Sequence, residues 1–210
     1  MADSNYEKVF RQYQEWFLQD NPRETADFLE LKTDREYLYI PFFGELCTIT
    51  LKDGNIGKAD GSAVPVVDRL TIMQHLHYHK KDARESTKQV PFREIKEAAV
   101  FEKAYQKSAL LPLVRNFSGK TKELLRAGLS IKGKQERFGD VSFTLQAFPK
   151  ISLTYIFWDG DEEFPASANI LFDDQIANWT HPESVPVLAE TGTRKLIEAA
   201  GGERGFWVER

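Results

Sequence analysis

Cysteine is almost missing from this sequence, since Cys47 is the single one among 210 residues. No disulfide can form within the chain, and a thiolate cage for zinc or an iron–sulfur cluster would need ligands from a second chain. An excess of positive charge is missing too, because the formal net charge is −4. We therefore expect neither nucleic acid nor an anionic membrane as the main partner.

Long apolar runs and a targeting segment are also lacking. No stretch approaches the ~20 apolar residues that a membrane helix needs, and the first five residues have neither a basic start nor an apolar segment. We expect a cytoplasmic protein with no membrane partner. The 41% of hydrophobic residues can form a core without a metal or a disulfide, which favours one compact domain over residues 1–210.

The first half of the chain changes from a helical to a strand-like period. Helical spacing of apolar residues over 6–18 predicts a helix, and Pro22 can open a second one. Alternation predicts strands over 37–41 and 46–50 that turn near Gly44, then a short third strand between two Asp-Gly turns. A helix follows over 66–79. The charged stretch 80–88 is a candidate joint between sub-domains near residues 80–90.

The second half repeats that order of elements. Helices are predicted over 95–113, with Pro112 marking the end, and over 121–129; strands follow at 141–145, 151–157 and 168–172, then a helix over 183–200. Runs of strands separated by runs of helices indicate an α+β fold with antiparallel sheets and packed helices. Two alternatives stay open for the repeat: two similar three-strand-plus-helix halves, or chance recurrence of a common unit.

A set of short segments, in this order and spacing, resembles a known family. The segments are Asp68-Arg69-Leu70, His77-Tyr78, Phe92-Arg93-Glu94, Gly139-Asp140, Pro149, Trp158 to Pro165 and Ile170 to Asp173. Together, over about Asn21 to Ala200, they resemble a bacterial and archaeal family known as domain of unknown function 3786. The resemblance implies no activity. Some members carry a cysteine-rich iron–sulfur segment and occur in anaerobes; that segment is absent here, so no cluster is expected.

An acidic cluster lies between two of the predicted strands. Asp159, Asp161 and Glu163 alternate as oxygen ligands of a hard cation often do, and a hairpin would bring Asp173 towards them. An EF-hand is excluded, because Phe164 stands where its glycine is required. A weak calcium or magnesium site and a plain polar turn both fit, and no other cofactor is predicted. Either way, we expect a β-hairpin with the acids at its turn.

Three histidines alternate along the helix predicted over residues 66–79. Helical geometry places His75 and His79 on one side, where a surface position is expected. His77 shares the apolar stripe of Leu70 and Met73, which predicts a largely buried ring with one nitrogen hydrogen-bonded. A structural role and a role in proton transfer are both open for His77.

Trp158 lies one step out of register with the apolar positions of its predicted strand. It should therefore face the other side of the sheet. There it either packs in a second layer or forms part of a surface that binds a ligand or a partner. Together with His77 and Tyr78, it makes up the set of candidate ligand- or partner-binding residues.

No catalytic motif supports a specific reaction. A nucleophile elbow is missing, and Gly119-Lys120-Thr121 is the tail of a phosphate-binding loop without its head. The expected function is a non-catalytic binding or accessory module, acting on a protein partner or a cofactor and linked by the resemblance to anaerobic metal or cofactor metabolism. One alternative is a divalent-metal-dependent hydrolase or transferase that uses the acidic hairpin. Another is a structural protein of a complex.

Overall fold

The computed structural model describes residues 5–202. The helices are α1 (Asn5–Gln19), α2 (Pro22–Phe28), α3 (Val66–Tyr78), α4 (Glu102–Tyr105), α5 (Leu111–Phe117), α6 (Thr121–Ser130) and α7 (Ser184–Ala199). The strands are β1 (Lys32–Thr33), β2 (Tyr37–Phe42), β3 (Glu45–Thr50), β4 (Ile56–Lys58), β5 (Gln89–Pro91), β6 (Lys134–Gln135), β7 (Val141–Phe148), β8 (Ile151–Trp158) and β9 (Ser167–Asp173). The prediction that the first five residues are not a targeting segment concerns mainly residues 1–4, which lie outside this range.

The strands form two antiparallel sheets, which confirms the α+β prediction. The first sheet has the order β1-β2-β3-β4, and the second has the order β5-β9-β8-β7-β6. In sequence order, β1 to β4 form a meander followed by α3, and β6 to β9 form a meander followed by α7. The element order thus repeats, with units one strand longer than predicted. The sequence predicts no strand at β1, β5 or β6.

Local chemistry explains the boundaries at the amino-terminal end. Pro22 occupies the first position of α2, where a missing N–H is harmless, and the Asn21 side chain accepts hydrogen bonds from Arg23 N and Glu24 N. In the tight turn between β2 and β3, both Phe43 and Gly44 have positive φ, at 47° and 77°. That backbone matches a two-residue hairpin turn of the kind that suits twisted strands.

The core lies between the sheets and the helices, and the two sheets meet at one corner. The inward side chains of β2 and β3 are buried, as are those of β7, β8 and β9. Phe43 N donates to Ala147 O at 3.1 Å, and the rings of Phe42 and Phe148 lie 5.0 Å apart. The α3 and α7 helices are joined by the Asp68–Arg194 ion pair, in which Arg194 Nη2 lies 2.8 Å from both carboxylate oxygens.

The predicted single helix over 95–113 is wrong. A 3₁₀ turn at Phe92–Glu94 precedes this segment, which contains a second 3₁₀ turn at Ala99–Phe101, then α4, a π-helical turn at Gln106–Leu110 and the start of α5. Pro112 does not end a helix; it lies in the first turn of α5, just after the π-helical turn. The wider turn changes the hydrogen-bond register, so a residue without an N–H is tolerated there.

The stretch 80–88 connects α3 to β5 and is attached to the second sheet. Lys80 N donates to Asn178 O at 2.8 Å, and Ser86 N donates to Asp173 Oδ2 at 3.3 Å. Lys150 Nζ binds the carboxylate of Glu85 at 2.6 Å. Within residues 5–202, no helix has the length and apolar character needed to cross a membrane.

Candidate functional site

A groove opens where the α1–α2 junction meets the carboxyl end of α3. It has a volume of about 680 Å³ and is lined by Asp20, Asn21, Glu24, Thr25, Phe28, Leu76, His77, His79 and Lys81. A recess of about 10 Å³ adjoins it, with Tyr13, Phe17 and Met73 on its inner wall. That recess has room for about one water molecule. The groove therefore combines a charged rim with a small apolar pocket.

His77 lies on one wall of this groove, held by a carboxylate and an indole. Its Nδ1 is 3.1 Å from Asp20 Oδ2, and its ring stacks on Trp16 with centroids 4.8 Å apart and planes at 19°. The predicted hydrogen bond to one ring nitrogen is present. The predicted burial against a sheet is wrong, because 31% of the side chain is exposed and α1, not a sheet, covers it.

His79 lies on another wall and is fixed in a similar way. Its Nδ1 is 2.9 Å from the Leu76 carbonyl oxygen, and its ring stacks on Phe28 with centroids 5.0 Å apart. Burial lowers the pKa of His79 below its ordinary value, and the hydrogen bond to Leu76 offsets only part of that effect. The ring is therefore neutral near pH 7.

His75 points away from the groove into the core, which corrects the prediction of a surface position. It is fully buried, its Nδ1 is 2.7 Å from Trp179 O, and its ring stacks on Phe148 at 4.1 Å. Burial lowers the pKa of His75 to about 4. The prediction failed because α3 is covered on more than one side, so its apolar stripe does not identify the buried face.

The three hydrogen bonds of these histidines determine their tautomers. A carbonyl or carboxylate oxygen can only accept, so the hydrogen of a neutral ring must sit on Nδ1 of His75, His77 and His79. Nε2 is then a bare acceptor in each ring. For His75 this atom is buried without a hydrogen-bond partner in the described part of the chain. For His77 and His79 it is the polar ring atom left for the groove.

Tyr78 supports the groove from behind. Its ring lies 4.6 Å from His181 and 4.9 Å from His77. Its ring also meets the Tyr13 ring edge-on at 6.2 Å, and burial, with a further contribution from Tyr78, raises the pKa of Tyr13 to about 12. Tyr78 therefore helps to hold α1 against α3 and is not among the residues that line the groove.

The acidic segment forms the predicted β-hairpin turn. β8 pairs with β9 from Leu153↔Phe172 to Trp158↔Ser167, and the intervening residues contain no helix. Asp161 Oδ1 accepts hydrogen bonds from Glu163 N and Phe164 N, both at 2.8 Å, which lowers the pKa of Asp161. Asp159 Oδ1 accepts from Gly119 N and Gly160 N. These two carboxylates stabilise the loop backbone.

Asp173 does not join the other acids, so this prediction is wrong. It pairs with Gln89 at the opposite end of β9 from the turn. At ~3.4 Å per residue, the six steps from Ser167 to Asp173 span about 20 Å. A hairpin brings together residues facing each other across the strands, and Asp173 faces the start of β8. Over residues 5–202, no group of three or more His, Cys, Asp or Glu side chains is arranged to hold a metal.

Trp158 lies at the surface beside the hairpin turn. It is 41% exposed, which decides between the two alternatives against a second packed layer. A Cβ built on Gly139 would come within 3.2 Å of Trp158 Nε1 and 2.6 Å of Phe157 O, so glycine is needed for this close approach. Trp158 is not part of the groove.

Several groove residues were not found from the sequence. Asp20 and Glu24 flank a helix start that looked like a simple boundary, and His79 was placed on an exposed helix end. The sequence features that could have identified them are the helix-ending segment Asp20-Asn21-Pro22 before α2 and the histidines at the end of α3. Cys47, by contrast, is buried, which raises its pKa to about 11 and makes it a poor nucleophile.

These features first define a class: an α+β protein with two antiparallel sheets and a groove lined by hydrogen-bond acceptors between its amino-terminal helices and α3. The chain belongs to the family described as a domain of unknown function, DUF3786, which matches residues 21–195. The match covers every residue that lines the groove except Asp20. No curated protein and no solved structure matches the chain.

Proposed function

We propose that this protein is a non-catalytic binding module that recognises a segment of a partner protein through the groove between α2 and the end of α3. One observation carries the proposal: the His79–Phe28 stack, the His77 ring and two carboxylates line a single concave surface of about 680 Å³, with Trp16 stacked behind His77. Concave sites with a few convergent polar groups and aromatic walls are typical of ligand recognition. The link to anaerobic metal or cofactor metabolism rests on the family resemblance alone.

The rigidity of the groove supports a binding role. Asn21 caps α2, so the backbone on one wall is fixed, and the stacked rings fix His77 and His79 on the other walls. A surface whose side chains are already held loses little conformational entropy when a ligand binds. The adjoining apolar recess would accept a small apolar group of the same ligand.

The Asp20–His77 pair favours a second candidate function, namely that of an enzyme in which His77 is the general base. A histidine whose Nδ1–H donates to a carboxylate is oriented as in general-base catalysis. Thr25 contributes a hydroxyl group to the groove, where such a base would act. Among the contacts of the described residues, no hydrogen bond joins Thr25 to His77. The acidic hairpin gives the metal-dependent alternative no such support, because Asp173 lies at the far end of the hairpin.

A blocked groove tests the binding proposal. Thr25→Arg places a long side chain where both cavities meet, and Thr121→Arg makes the same change at a half-buried threonine of α6. Random peptides displayed on phage are selected on the full chain and then tested for binding to each variant. Selected peptides should lose at least about tenfold in affinity to Thr25→Arg and bind Thr121→Arg normally. Equal binding to both variants would refute the role of the groove.

A further inference from the structure

The polar atoms that line the groove are mostly acceptors. Asp20 and Glu24 contribute carboxylates, and the Nε2 atom of a neutral His77 or His79 ring is an acceptor because the Nδ1–H group is already bonded. The Asn21 side-chain oxygen is used by the cap of α2. A ligand that satisfies this surface must bring several N–H donors and positive charge.

Among residues 5–202, Lys81 is the one Lys or Arg that lines the groove, and it is loosely held. Lys81 Nζ lies 3.6 Å from Glu24, and the Lys81 side chain is 90% exposed. An exposed ion pair of this kind contributes little and exchanges readily with another cation. The Glu24 carboxylate can therefore release Lys81 when a better-matched donor arrives.

The aromatic walls discriminate between kinds of cation. The parallel stack of His79 on Phe28, at 26°, presents flat π surface beside the acids, and Trp16 backs His77 on the other side. A planar guanidinium group stacks on such surfaces while its five N–H groups bond in its own plane. A compact ammonium group cannot do both.

We propose that the groove takes the guanidinium group of an arginine in the partner protein, bonded by the Glu24 and Asp20 carboxylates and by Nε2 of His77 or His79. This proposal rests on the proposed binding function and specifies its ligand. The adjoining recess has room for no more than a methyl group next to that arginine, so an arginine followed or preceded by alanine fits best.

Blocked tripeptides test the specificity. A peptide with a central arginine is titrated into the ¹⁵N-labelled full chain, with citrulline, lysine and free spermidine as comparisons. We expect a dissociation constant on the order of 1 mM for the arginine peptide and a value about tenfold weaker for neutral citrulline. Lysine and spermidine should be several-fold weaker. Equal or tighter binding of citrulline, lysine or spermidine would overturn the guanidinium proposal.

Matched variants locate the site. Glu24→Gln should weaken the arginine peptide about tenfold, whereas Glu162→Gln, the same change at an exposed acid of the hairpin turn, should not. Lys81→Ala should strengthen binding a few-fold by removing the competing cation, and Lys122→Ala on α6 should not. A loss with Glu162→Gln equal to that with Glu24→Gln would place the cation elsewhere.

The two proposals fail in different ways. If peptides selected on phage bind the groove but lack arginine, the binding function stands and the guanidinium inference falls. If Thr25→Arg leaves all selected peptides bound, both fall.

Discussion

Histidines lie on both the inner and the outer side of α3, but they differ in burial and in hydrogen bonding. On the inner side, Asp68 and His75 are almost fully buried. Asp68 pairs with Arg194 of α7, and His75 hydrogen-bonds the carbonyl oxygen of Trp179. On the outer side, His77 and His79 are partly exposed and use only one ring nitrogen. Neighbouring elements, and not spacing along the helix, decide which histidine is structural and which is available to a ligand.

The largest effect is expected on the inner side, at the ion pair between α3 and α7. Arg194 is buried, which disfavours its charged form, but Asp68 outweighs this and raises the pKa of Arg194. Asp68→Ala leaves that charge without its main partner in the core and should lower the free energy of unfolding by about 3–5 kcal/mol. Urea unfolding followed by circular dichroism measures the change.

A double replacement sharpens this test. Asp68→Leu combined with Arg194→Met removes both charges and should lose clearly less stability than Asp68→Ala alone, because no buried charge is left unpaired. If the single variant were as stable as the parent, the inner side of α3 would not depend on this contact.

The next effect is a pH dependence that comes from His75. Folding holds its pKa at about 4, below the ordinary 6.5, so the unfolded chain binds a proton first as the pH falls. Stability from this group is complete above about pH 6.5 and is lost towards pH 4, by roughly 3 kcal/mol in all. Unfolding free energies at pH 7 and pH 4.5 measure it.

The His75→Gln variant isolates that contribution. It should be less stable than the parent at pH 7, because it loses the stack on Phe148, but the difference should shrink as the pH falls towards 4.5. A difference that stays constant with pH would mean that His75 is not held neutral in the fold.

The smallest effect on stability is expected on the outer side. His77→Gln removes a partly exposed ring that stacks on Trp16 and pairs with Asp20, so the free energy of unfolding should change by less than about 1 kcal/mol. Binding of the arginine peptide should nevertheless weaken several-fold. A large loss of stability without a change in binding would make His77 structural.

Periodicity predicted much of the fold, because strands that are buried on one face alternate clearly. β2, β3 and β9 are of this kind. In β7 and β8, which lead to the hairpin with acids at its turn, apolar residues also alternate in the sequence, although both faces of these strands are largely buried. The helix around Pro112 failed, since a π-helical turn leaves no periodic pattern in the sequence. β1, β5 and β6 are too short to show alternation.

The site was predicted only in part. His77 was selected as a candidate, but its carboxylate partner lies 57 residues away in sequence. His75 and His77 were assigned to the wrong environments because tertiary packing covers more of α3 than its apolar stripe suggests. The clustered acids near Asp159 are predicted as a candidate cation site, but Asp159 and Asp161 accept hydrogen bonds from backbone amides of the loop. A cluster of acidic residues in the sequence does not show whether its carboxylate oxygens already accept hydrogen bonds within the fold.

The ring tautomers of the histidines test the central claim most directly. Long-range ¹⁵N–¹H correlation spectra of the full chain at pH 8 should show the hydrogen on Nδ1 for His75, His77 and His79. Adding the arginine peptide should shift Nε2 of His77 or His79 and leave His75 unchanged. A hydrogen on Nε2 of both His77 and His79, or a peptide that shifts neither ring, would contradict an acceptor-lined groove on the outer side of α3.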